Sequence, residues 1–352
     1  MSSKSKIPVG VLGATGMVGQ SFVKFLDHHP WFELVWAGAS DRSAGKPYHE
    51  ATQWRLDGAM PAHAAALTVQ PCEPSKTAPK LVFSAMDASV ATEIERAFAE
   101  AGHLVVSNSK NHRMEPDVPL LVPEINADHL ALLKVQRERR GWKGGIATNP
   151  NCSTVALTMG LAPLAQFGIK TVIATTMQAI SGAGYPGVPS MDIMANVIPY
   201  IGGEEEKMQI ETQKILGRLA GDHIEPLPAH VSAHCNRVPV VDGHLVAVSV
   251  SLEQHVKRDD LLAAYENFTA EPQRLRLPSA PPRPVLYLHE ENRPQPRRDA
   301  FRDNGMTVTV GRLRKCPVLD WKFVCLGHNT IRGAAGAAVL NAELLKARGF
   351  LD

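Results

Sequence analysis

A ladder of glycines near the start of the chain constrains the fold more than any other feature of the sequence. The ladder consists of Gly10, Gly13, Gly16 and Gly19, and it overlaps the end of an apolar run at residues 7–11. Glycines between a strand and a helix let the backbone turn tightly, and they let a pyrophosphate reach the amides at the helix N-terminus. The ladder therefore predicts a dinucleotide site beside the first strand of a parallel sheet.

The first half of the chain alternates predicted strands with predicted helices. Its apolar pattern predicts strands at 7–11, 32–39, 80–84 and 103–106 and helices at 18–29 and 89–101. Such alternation is typical of a parallel sheet with right-handed crossovers. The charged, glycine-containing residues 137–145 predict a linker, so we expect a first domain over residues 1–150.

The second half of the chain has a different order of predicted strands and helices. Its patterns predict strands at 171–179, 231–240, 245–252, 306–312 and 322–326 and helices at 154–167, 204–219, 258–268 and 331–347. The strand spacing and a tight Asp242-Gly243 turn favour a mixed or antiparallel sheet with helices on one face. Residues 278–302 are rich in proline and arginine and predict an exposed, extended loop, with a subunit contact as the alternative.

Charge and composition exclude several classes of protein. The chain of 352 residues has 37 basic and 35 acidic residues, a balance that argues against nucleic acid or a membrane surface as the main partner. No apolar run approaches the roughly 20 residues of a membrane span. Five cysteines without a CxxC pair indicate reduced thiols, and the N-terminal residues lack the apolar stretch of a signal peptide. We therefore expect a cytoplasmic protein.

The end of the second predicted strand carries residues that suit a cofactor phosphate. Ser40, Arg42 and Ser43 offer one cation and two hydroxyl groups, which match the 2′-phosphate of NADP. Asp41 lies among them and gives the alternative, because an acidic residue at this place usually binds the ribose hydroxyls of NAD. We expect NADP.

A cysteine stands where a helix is predicted to begin. The sequence NPNCST places Cys152 just before the apolar helix at 154–167. A thiol there faces the positive end of the helix dipole, which favours the nucleophilic thiolate. Taken alone, such a cysteine also fits a small buried residue. Together with a dinucleotide site, it suggests oxidation of an aldehyde through a thiohemiacetal to a thioester.

Other candidate residues each have a structural alternative. Gln178 precedes a glycine-rich loop that also fits a plain turn, and Glu204 and Lys207 lie on a helix face that also fits a solvated charged surface. Arg237 and His244 flank a tight turn, where either residue alone is more often structural.

The side chains of His230, His234 and Cys235 are of types that bind metals. In a strand, Cys235 faces away from the two histidines, and a fourth ligand is missing. We therefore expect no metal site.

Several motifs in order resemble the aspartate-semialdehyde dehydrogenases, most closely the branch found in fungi and archaea. The resemblance spans nearly the whole chain and is carried by GVLGATGMVGQ, NPNCST, QAISGAG, GGEEEKMQIETQKILG, HCNRVPVVDGH and HNTIRGAAG. It implies the reductive dephosphorylation of L-4-aspartyl phosphate by NADPH, which gives L-aspartate 4-semialdehyde and phosphate. That reaction feeds threonine, methionine and lysine synthesis.

The resemblance also implies roles for individual residues. Cys152 would be the nucleophile, His244 the acid/base, and Gln178 the group that orients the reacting atoms. Glu204 and Arg237 would hold the α-amino and α-carboxylate groups of the substrate. The implied phosphate-binding residues are Lys207 and Arg113.

The cofactor is expected to contact the glycine ladder, the strand ends and two later residues. These residues are Gly10, Gly13, Thr15, Gly16, Met17, Val18, Ser40, Arg42, Ser43, Ser84, Gly182 and Asn329. Asn329 and Gly182 would lie near the nicotinamide. His328 departs from the acidic residue expected before Asn329 in bacterial relatives, which affects only that local contact.

The expected fold class is α/β, with a Rossmann-like parallel sheet domain followed by an α+β domain with a mixed sheet. The family's plan implies that the last helix, at 330–352, returns to the first domain. The second domain, at 151–329, would carry the catalytic site and form a homodimer or homotetramer. The expected partners are otherwise small molecules: the substrates and phosphate.

Three alternatives remain open at this point. Malonyl-CoA reductase and N-acetyl-glutamyl-phosphate reductase resemble this chain and use similar chemistry. Glu204 and Arg237 together favour an amino-acid substrate, because an N-acetylated amine does not need a carboxylate. A non-catalytic NADPH-binding sensor would need the ladder but not Cys152, His244 and Arg237 together.

Overall fold

A computed structural model describes residues 5–351. These residues form two units, each assembled from separated stretches of the chain. The first unit contains residues 5–121, 128–149 and 338–351, and the second contains residues 122–127 and 150–337. The first four residues of the predicted first domain, and residue 352, lie outside the described part of the chain.

The strands are β1 (Ile7–Leu12), β2 (Phe32–Ala39), β3 (Val69–Pro71), β4 (Leu81–Ser84), β5 (Leu104–Ser107), β6 (Gly145–Thr148), β7 (Ile169–Gln178), β8 (Arg218–Ala220), β9 (His223–Glu225), β10 (His230–Arg237), β11 (His244–Leu252), β12 (Val285–Leu288), β13 (Val308–Lys315) and β14 (Trp321–Gly327).

The α-helices are α1 (Met17–Leu26), α2 (Tyr48–Ala51), α3 (Ala62–Ala65), α4 (Ala88–Glu100), α5 (Pro123–Asn126), α6 (Leu132–Arg140), α7 (Cys152–Leu161), α8 (Ser190–Ile193), α9 (Glu204–Ile215), α10 (Arg258–Glu266), α11 (Glu271–Arg274), α12 (Pro296–Asp299) and α13 (Gly336–Ala347). Short 3-10 helices cover Ala127–Ala131, Ala162–Phe167, Ile180–Ala183 and Arg302–Gly305, and a π-helical turn covers Ile331–Ala335. Within residues 5–351, no helix is both long enough and apolar enough to cross a bilayer.

The sheet of the first unit is entirely parallel, in the order β3-β2-β1-β4-β5-β6. Its strands are apolar because helices cover both faces of such a sheet. The order reverses between β1 and β4, and open α/β sheets bind ligands outside the carboxyl ends of the strands at such a point. This arrangement confirms the predicted Rossmann-like sheet. The short edge strands β3 and β6 were not predicted from the apolar pattern.

The predicted linker at 137–145 is wrong. Residues 137–140 form the last turn of α6, which ends at Gly141 in the left-handed conformation, with φ of 64°. The chain then enters β6, the edge strand of the first sheet. The charges that suggested a linker belong to this helix end, where Arg140 pairs with Asp117.

The second unit contains a mixed sheet in the order β10-β7-β11-β14-β13-β12. Strand β7 is parallel to β10 and antiparallel to β11, and β11 is antiparallel to β14. The mixed sheet was predicted. The prediction of an exposed, extended loop at 278–302 is wrong. Those residues contain β12 and α12, and Arg293 pairs with the buried Asp299.

Candidate active site

The turn after β1 has the shape of a phosphate cradle. Gly13 has φ of +71°, and a side chain there would meet the carbonyl oxygen of Ala85 at 2.7 Å. A side chain on Gly19 would lie 2.7 Å from the Cα of Ala14, so this glycine lets α1 approach the turn closely. The helix is capped by Gly16, which has no side chain to occupy its first amides. These features fit a bound pyrophosphate.

The other predicted ladder residues divide into two groups. Thr15 lies in the turn before α1, and Met17 and Val18 begin the helix; all three keep partly exposed surface, as a cofactor contact requires. Gly10 is buried within β1, where a side chain would press against Trp36 at 3.0 Å. A glycine is therefore needed at position 10 for packing within the sheet. This buried position does not support the cofactor contact predicted for Gly10.

The residues predicted for the 2′-phosphate lie directly after β2. Ser40 and Arg42 are exposed, Ser43 is half-buried, and the Ser43 N–H donates to the Ser40 carbonyl at 2.8 Å. Asp41 is exposed as well. The tip thus presents its guanidinium and hydroxyl groups to solvent, where an anion can reach them.

Ser84 lies at the carboxyl end of β4 and is fully buried. Its hydroxyl donates to Glu95 at 2.6 Å, and Ser107 on the next strand donates to the same oxygen at 2.7 Å. Glu95 was not predicted, because one carboxylate on a helix face gives no sequence signal. Burial raises the pKa of Glu95, while the two serine hydroxyls act to lower it. A cofactor contact by Ser84 stays a prediction.

Cys152 is the first residue of α7 in the second unit, as its sequence context predicts. The helix is capped by Asn151, whose side-chain oxygen accepts from the amides of Ser153 and Thr154 at 3.0 and 3.3 Å. The Sγ of Cys152 lies 3.2 Å from Nε2 of His244. A thiol and an imidazole at this distance form the core of a nucleophilic site.

The hydrogen bonds of His244 determine which ring nitrogen carries the proton. The Ala179 N–H donates to Nδ1 at 3.1 Å, so Nδ1 is an acceptor and the neutral ring carries its proton on Nε2. That proton faces the Cys152 sulfur. Burial lowers the pKa of His244 to about 3, and the charges of Arg237 and His328 act in the same direction. The ring is therefore a neutral donor to the sulfur.

One end of the second sheet gathers the remaining predicted groups. Gln178 ends β7 opposite Arg237, which ends the parallel strand β10, and His244 begins β11 beside them. Arg237 is buried and donates to the Ala179 carbonyl at 2.8 Å. Burial lowers its pKa, while the negative charges of Cys152 and Glu204 oppose that shift. The buried cation thus lies within electrostatic reach of both the Cys152 sulfur and a carboxylate.

At Gly182, the loop after β7 lies against the side chains of Arg237 and His244. A side chain at this position would meet Nη1 of Arg237 at 2.9 Å and Nε2 of His244 at 3.0 Å. Glycine is therefore needed here for space. The loop that follows Gln178 forms the 3-10 turn Ile180–Ala183.

The helix α9 contributes buried charges, so the alternative of a solvated face is wrong for part of it. Glu204 is buried, and its two oxygens accept from Lys207 Nζ at 2.9 Å and from Asn151 Nδ2 at 2.7 Å. Glu211 accepts from the backbone N–H of Asn151 at 2.7 Å. The helix ends at Ile215, short of the predicted residue 219.

Asn151 and Glu211 were not among the predicted site residues. Asparagine directly before a helix is a favoured N-cap, and that local signal was available in NPNCST. The bonds to α9 were not available, because Asn151 and Glu204 are separated by 53 residues.

The last two predicted ligands lie in different units. Arg113 belongs to the first unit, where it is buried and donates to the Asn108 carbonyl at 2.8 Å. Asn329 belongs to the second unit, where it accepts from the Gly243 N–H and donates to the Ser181 hydroxyl, both at 2.8 Å. Both ligand roles stay predictions.

The metal-type residues of β10 are not gathered into a site. His230 and His234 are exposed on one face of the strand. Cys235 is buried on the other face, with its sulfur 3.5 Å from that of Met208, and burial raises the pKa of its thiol to about 11.

A Rossmann-like sheet with a glycine cradle and a separate cysteine–histidine pair define a class, the dinucleotide-dependent enzymes that act through a thiol. Family models described as the NAD binding domain and the dimerisation domain of semialdehyde dehydrogenase match residues 8–133 and 161–332. A curated aspartate-semialdehyde dehydrogenase from Methanothermobacter thermautotrophicus is 52% identical over 343 residues, which cover 96% of this chain and 99% of the relative. The chain belongs to the aspartate-semialdehyde dehydrogenase family.

Further relatives agree. The aspartate-semialdehyde dehydrogenase of Saccharomyces cerevisiae is 46% identical, covering 97% of this chain and 98% of the relative. The crystal structure of the Candida albicans aspartate-semialdehyde dehydrogenase with NADP matches this fold with a TM-score of 0.90. The two sequences are 43% identical, and the match covers 98% of this chain and 99% of that one. These relatives confirm the predicted family, including its fungal and archaeal branch, and the predicted α/β fold. Their names do not favour the malonyl-CoA reductase alternative.

Proposed function

We propose that this chain catalyses the NADPH-dependent reductive dephosphorylation of L-4-aspartyl phosphate to L-aspartate 4-semialdehyde and phosphate. This oxidoreductase reaction belongs to the biosynthesis of threonine, methionine and lysine. The observation that carries the proposal is the Cys152 sulfur, 3.2 Å from His244 Nε2 at a helix N-terminus. The family relatives support the choice of substrate by their shared name.

The sulfur supplies the nucleophile for the first step. The Cys152 thiolate attacks the acyl carbon, a C–S bond forms, and the C–O bond to phosphate breaks with its electron pair on the leaving phosphate. NADPH, when bound, supplies the hydride that reduces the resulting thioester. The oxyanion then collapses, the C–S bond breaks, and the aldehyde leaves with the thiolate regenerated. The Nε2–H of His244 faces the sulfur. We propose that the same N–H also donates to the oxygen that becomes negative.

The acid/base role predicted for His244 has one physical condition. The ring takes up a second proton only at Nδ1, and there the Ala179 N–H must give way. Burial makes that protonation costly. We propose that His244 acts as a neutral hydrogen-bond donor, and that its ring takes up a second proton only after bound substrate has changed its surroundings.

The charged groups around the thiol suit a small zwitterion that carries a phosphate. We propose that Glu204 holds the α-ammonium group and Arg237 the α-carboxylate, since both are buried and oppositely charged. Lys207 and Arg113 would bind the phosphate, and Gln178 would orient the acyl group. Lys207 is already engaged with one oxygen of Glu204, so the ammonium group would compete with it for that carboxylate.

The cradle after β1 fits NADP. Gly13, Gly16 and the start of α1 would receive the pyrophosphate, and Arg42 with its neighbouring serines would receive the 2′-phosphate. The Candida albicans relative, which was solved with NADP, supports this choice.

Replacing Arg42 with alanine is expected to raise the KM for NADPH at least about tenfold and to leave the KM for NADH almost unchanged. A hydrogen bond to a charged group contributes roughly 1.5–3 kcal/mol, and solvent lowers this for an exposed side chain such as Arg42. Initial rates with each cofactor at one fixed, low ionic strength measure the effect. Equal use of NADPH and NADH by the unmodified enzyme would instead return Asp41 to the role of ribose ligand.

The reaction itself is tested most directly in the reverse direction. We expect reduction of NADP⁺ when L-aspartate 4-semialdehyde and phosphate are both present, and no sustained reduction without phosphate. Succinate semialdehyde, which lacks the α-amino group, is the matched control and should react far more slowly. Comparable rates with the two aldehydes, or reduction of malonyl-CoA by NADPH at a similar rate, would contradict the proposed substrate.

We also propose that the first unit is the NADP-binding domain and that the second carries catalysis and oligomerisation. The match of residues 161–332 to a dimerisation domain supports a homodimer or homotetramer. A mass of 38.2 kDa by light scattering, that of one chain, would contradict this. A chemistry that needs a reduced Cys152 favours the cytoplasm, and cell fractionation tests that location.

A further inference from the structure

The π-helical turn Ile331–Ala335 packs directly against the helix that begins with Cys152. Cys152, Ala156 and Met159 share one face of α7, because residues four and seven apart align along a helix. Gly327 at the end of β14 faces Ala156, and a side chain added to this glycine would lie 3.2 Å from the Ala156 Cβ. The chain that follows β14 then continues along the same face toward Cys152.

The closest point of this contact is Gly333. A side chain there would lie 2.6 Å from the Cβ of Cys152 and 2.9 Å from its Cα. The backbone of Gly333 is not in the left-handed region, so the glycine is required for space and not for its conformation. Its N–H donates to the His328 carbonyl five residues earlier, at 2.9 Å, which is the π-helical bond that shapes the turn.

A buried ion pair fixes the turn on its other side. Arg332 is 1% exposed and forms a two-pronged pair with Glu124, with bonds of 2.8 and 2.5 Å. The same guanidinium contacts the sulfur of Met159 on α7 at 3.3 Å. The turn therefore touches α7 at Met159 and at Cys152, two helical turns apart.

Asn329, just before the π-helical turn, is hydrogen-bonded to residues next to His244 and Gly182. Asn329 accepts from the N–H of Gly243, the residue before His244, and donates to Ser181, the residue before Gly182. One short stretch of chain thus contacts the immediate surroundings of both Cys152 and His244.

We propose that residues 329–333, here called the positioning turn, set the separation between the Cys152 sulfur and the His244 ring. In this proposal Gly333 is a positioning residue: it touches the backbone of the nucleophile and takes no part in the chemistry. The Arg332–Glu124 pair holds Gly333 in place. The inference rests on the proposed function only in taking Cys152 as the nucleophile.

The decisive variant is Gly333→Ala. The added methyl group must push Cys152 aside, and a displacement of about 1 Å at a reacting group costs roughly 10²-fold in rate. We expect kcat to fall by about that factor while the Kd for NADP stays unchanged. The matched control is Gly202→Ala, where a methyl group lies 3.7 Å from the Tyr200 hydroxyl, an ordinary contact, and where kcat should be retained.

A second readout follows the sulfur directly. Alkylation by iodoacetamide is measured against pH in a Cys316→Ser background, because Cys316 is a competing thiol whose pKa is lowered. Moving Cys152 away from the Nε2–H of His244 should slow alkylation near neutral pH and shift its midpoint to higher pH. A loss of stability alone would not move this midpoint, provided that the assay runs well below the Tm of the variant.

The double variant Glu124→Leu/Arg332→Met serves if Gly333→Ala fails to fold. Apolar replacement of a complete buried ion pair often leaves stability unchanged, while it removes the clamp on the turn. We expect the same fall in kcat and the same shift in alkylation. Wild-type kcat and an unshifted alkylation profile in a folded Gly333→Ala protein would overturn the proposal. An unmodified enzyme that lacks phosphate-dependent activity would contradict the proposed function, whereas the alkylation comparison would still test the positioning turn.

Discussion

Replacement of Cys152 by alanine or serine is expected to abolish turnover in both directions. The proposed reaction passes through a thioester on this sulfur, which alanine cannot form and which serine could replace only with an oxygen ester, formed far more slowly. We expect kcat to fall by at least about 10³-fold; in a serine protease, loss of the attacking group costs about 10⁶-fold. Steady-state rates with L-aspartate 4-semialdehyde, NADP⁺ and phosphate measure the loss.

Two controls make this result specific. The Kd for NADP should be unchanged, because Cys152 is not among the residues predicted to bind the cofactor, such as Gly13, Gly16 and Arg42. Serine at Cys316 should leave kcat near that of the unmodified enzyme, since this residue lies at the far end of β13, away from His244. Activity above a few per cent in Cys152→Ser would show that another group forms the acyl intermediate.

Replacement of His244 by alanine should lower kcat by about 10²–10⁴-fold, with little change in the KM for the semialdehyde. A positioned acid, base or donor typically contributes this much, and the proposed ligands of the amino and carboxylate groups are other residues. Glutamine at position 244 should retain more activity than alanine, because its amide N–H can still donate toward the sulfur. Equal activity of the glutamine and alanine variants would show that donation from this position contributes nothing.

The pH dependence gives a separate test of the histidine's state. Its pKa is lowered to about 3, so the ring gains a proton only well below neutrality and stays neutral as the pH rises. The profile of kcat/KM between about pH 5 and 9 should therefore show no titration of an ordinary histidine, whose pKa lies near 6.5. A titration near that value that disappears in His244→Ala would mean that the ring ionises in the free enzyme.

The sequence was most informative where neighbouring residues decide the structure. A glycine turn and a helix start depend on residues within a few positions of each other, so the ladder and the place of Cys152 could be predicted. Where one pattern fits two structures, prediction failed. The basic residues at 137–140 fit both a linker and a helix end, and in the folded unit they form the end of α6, where Arg140 pairs with Asp117 and Glu115.

Local patterns in the sequence were enough to predict a parallel-sheet domain with a dinucleotide turn and a cysteine at a helix start, and the ordered motifs were enough to predict the family. Which charged groups are buried, and which residues each one contacts, became known only from the folded chain. In the sequence, Glu204 is one of three consecutive glutamates, and nothing there shows that it alone of the three accepts a hydrogen bond from Asn151. The Arg332–Glu124 pair joins residues 208 positions apart, and Cys152 and His244 are 92 apart. Such contacts depend on how distant segments pack, and no local pattern of residue types records that.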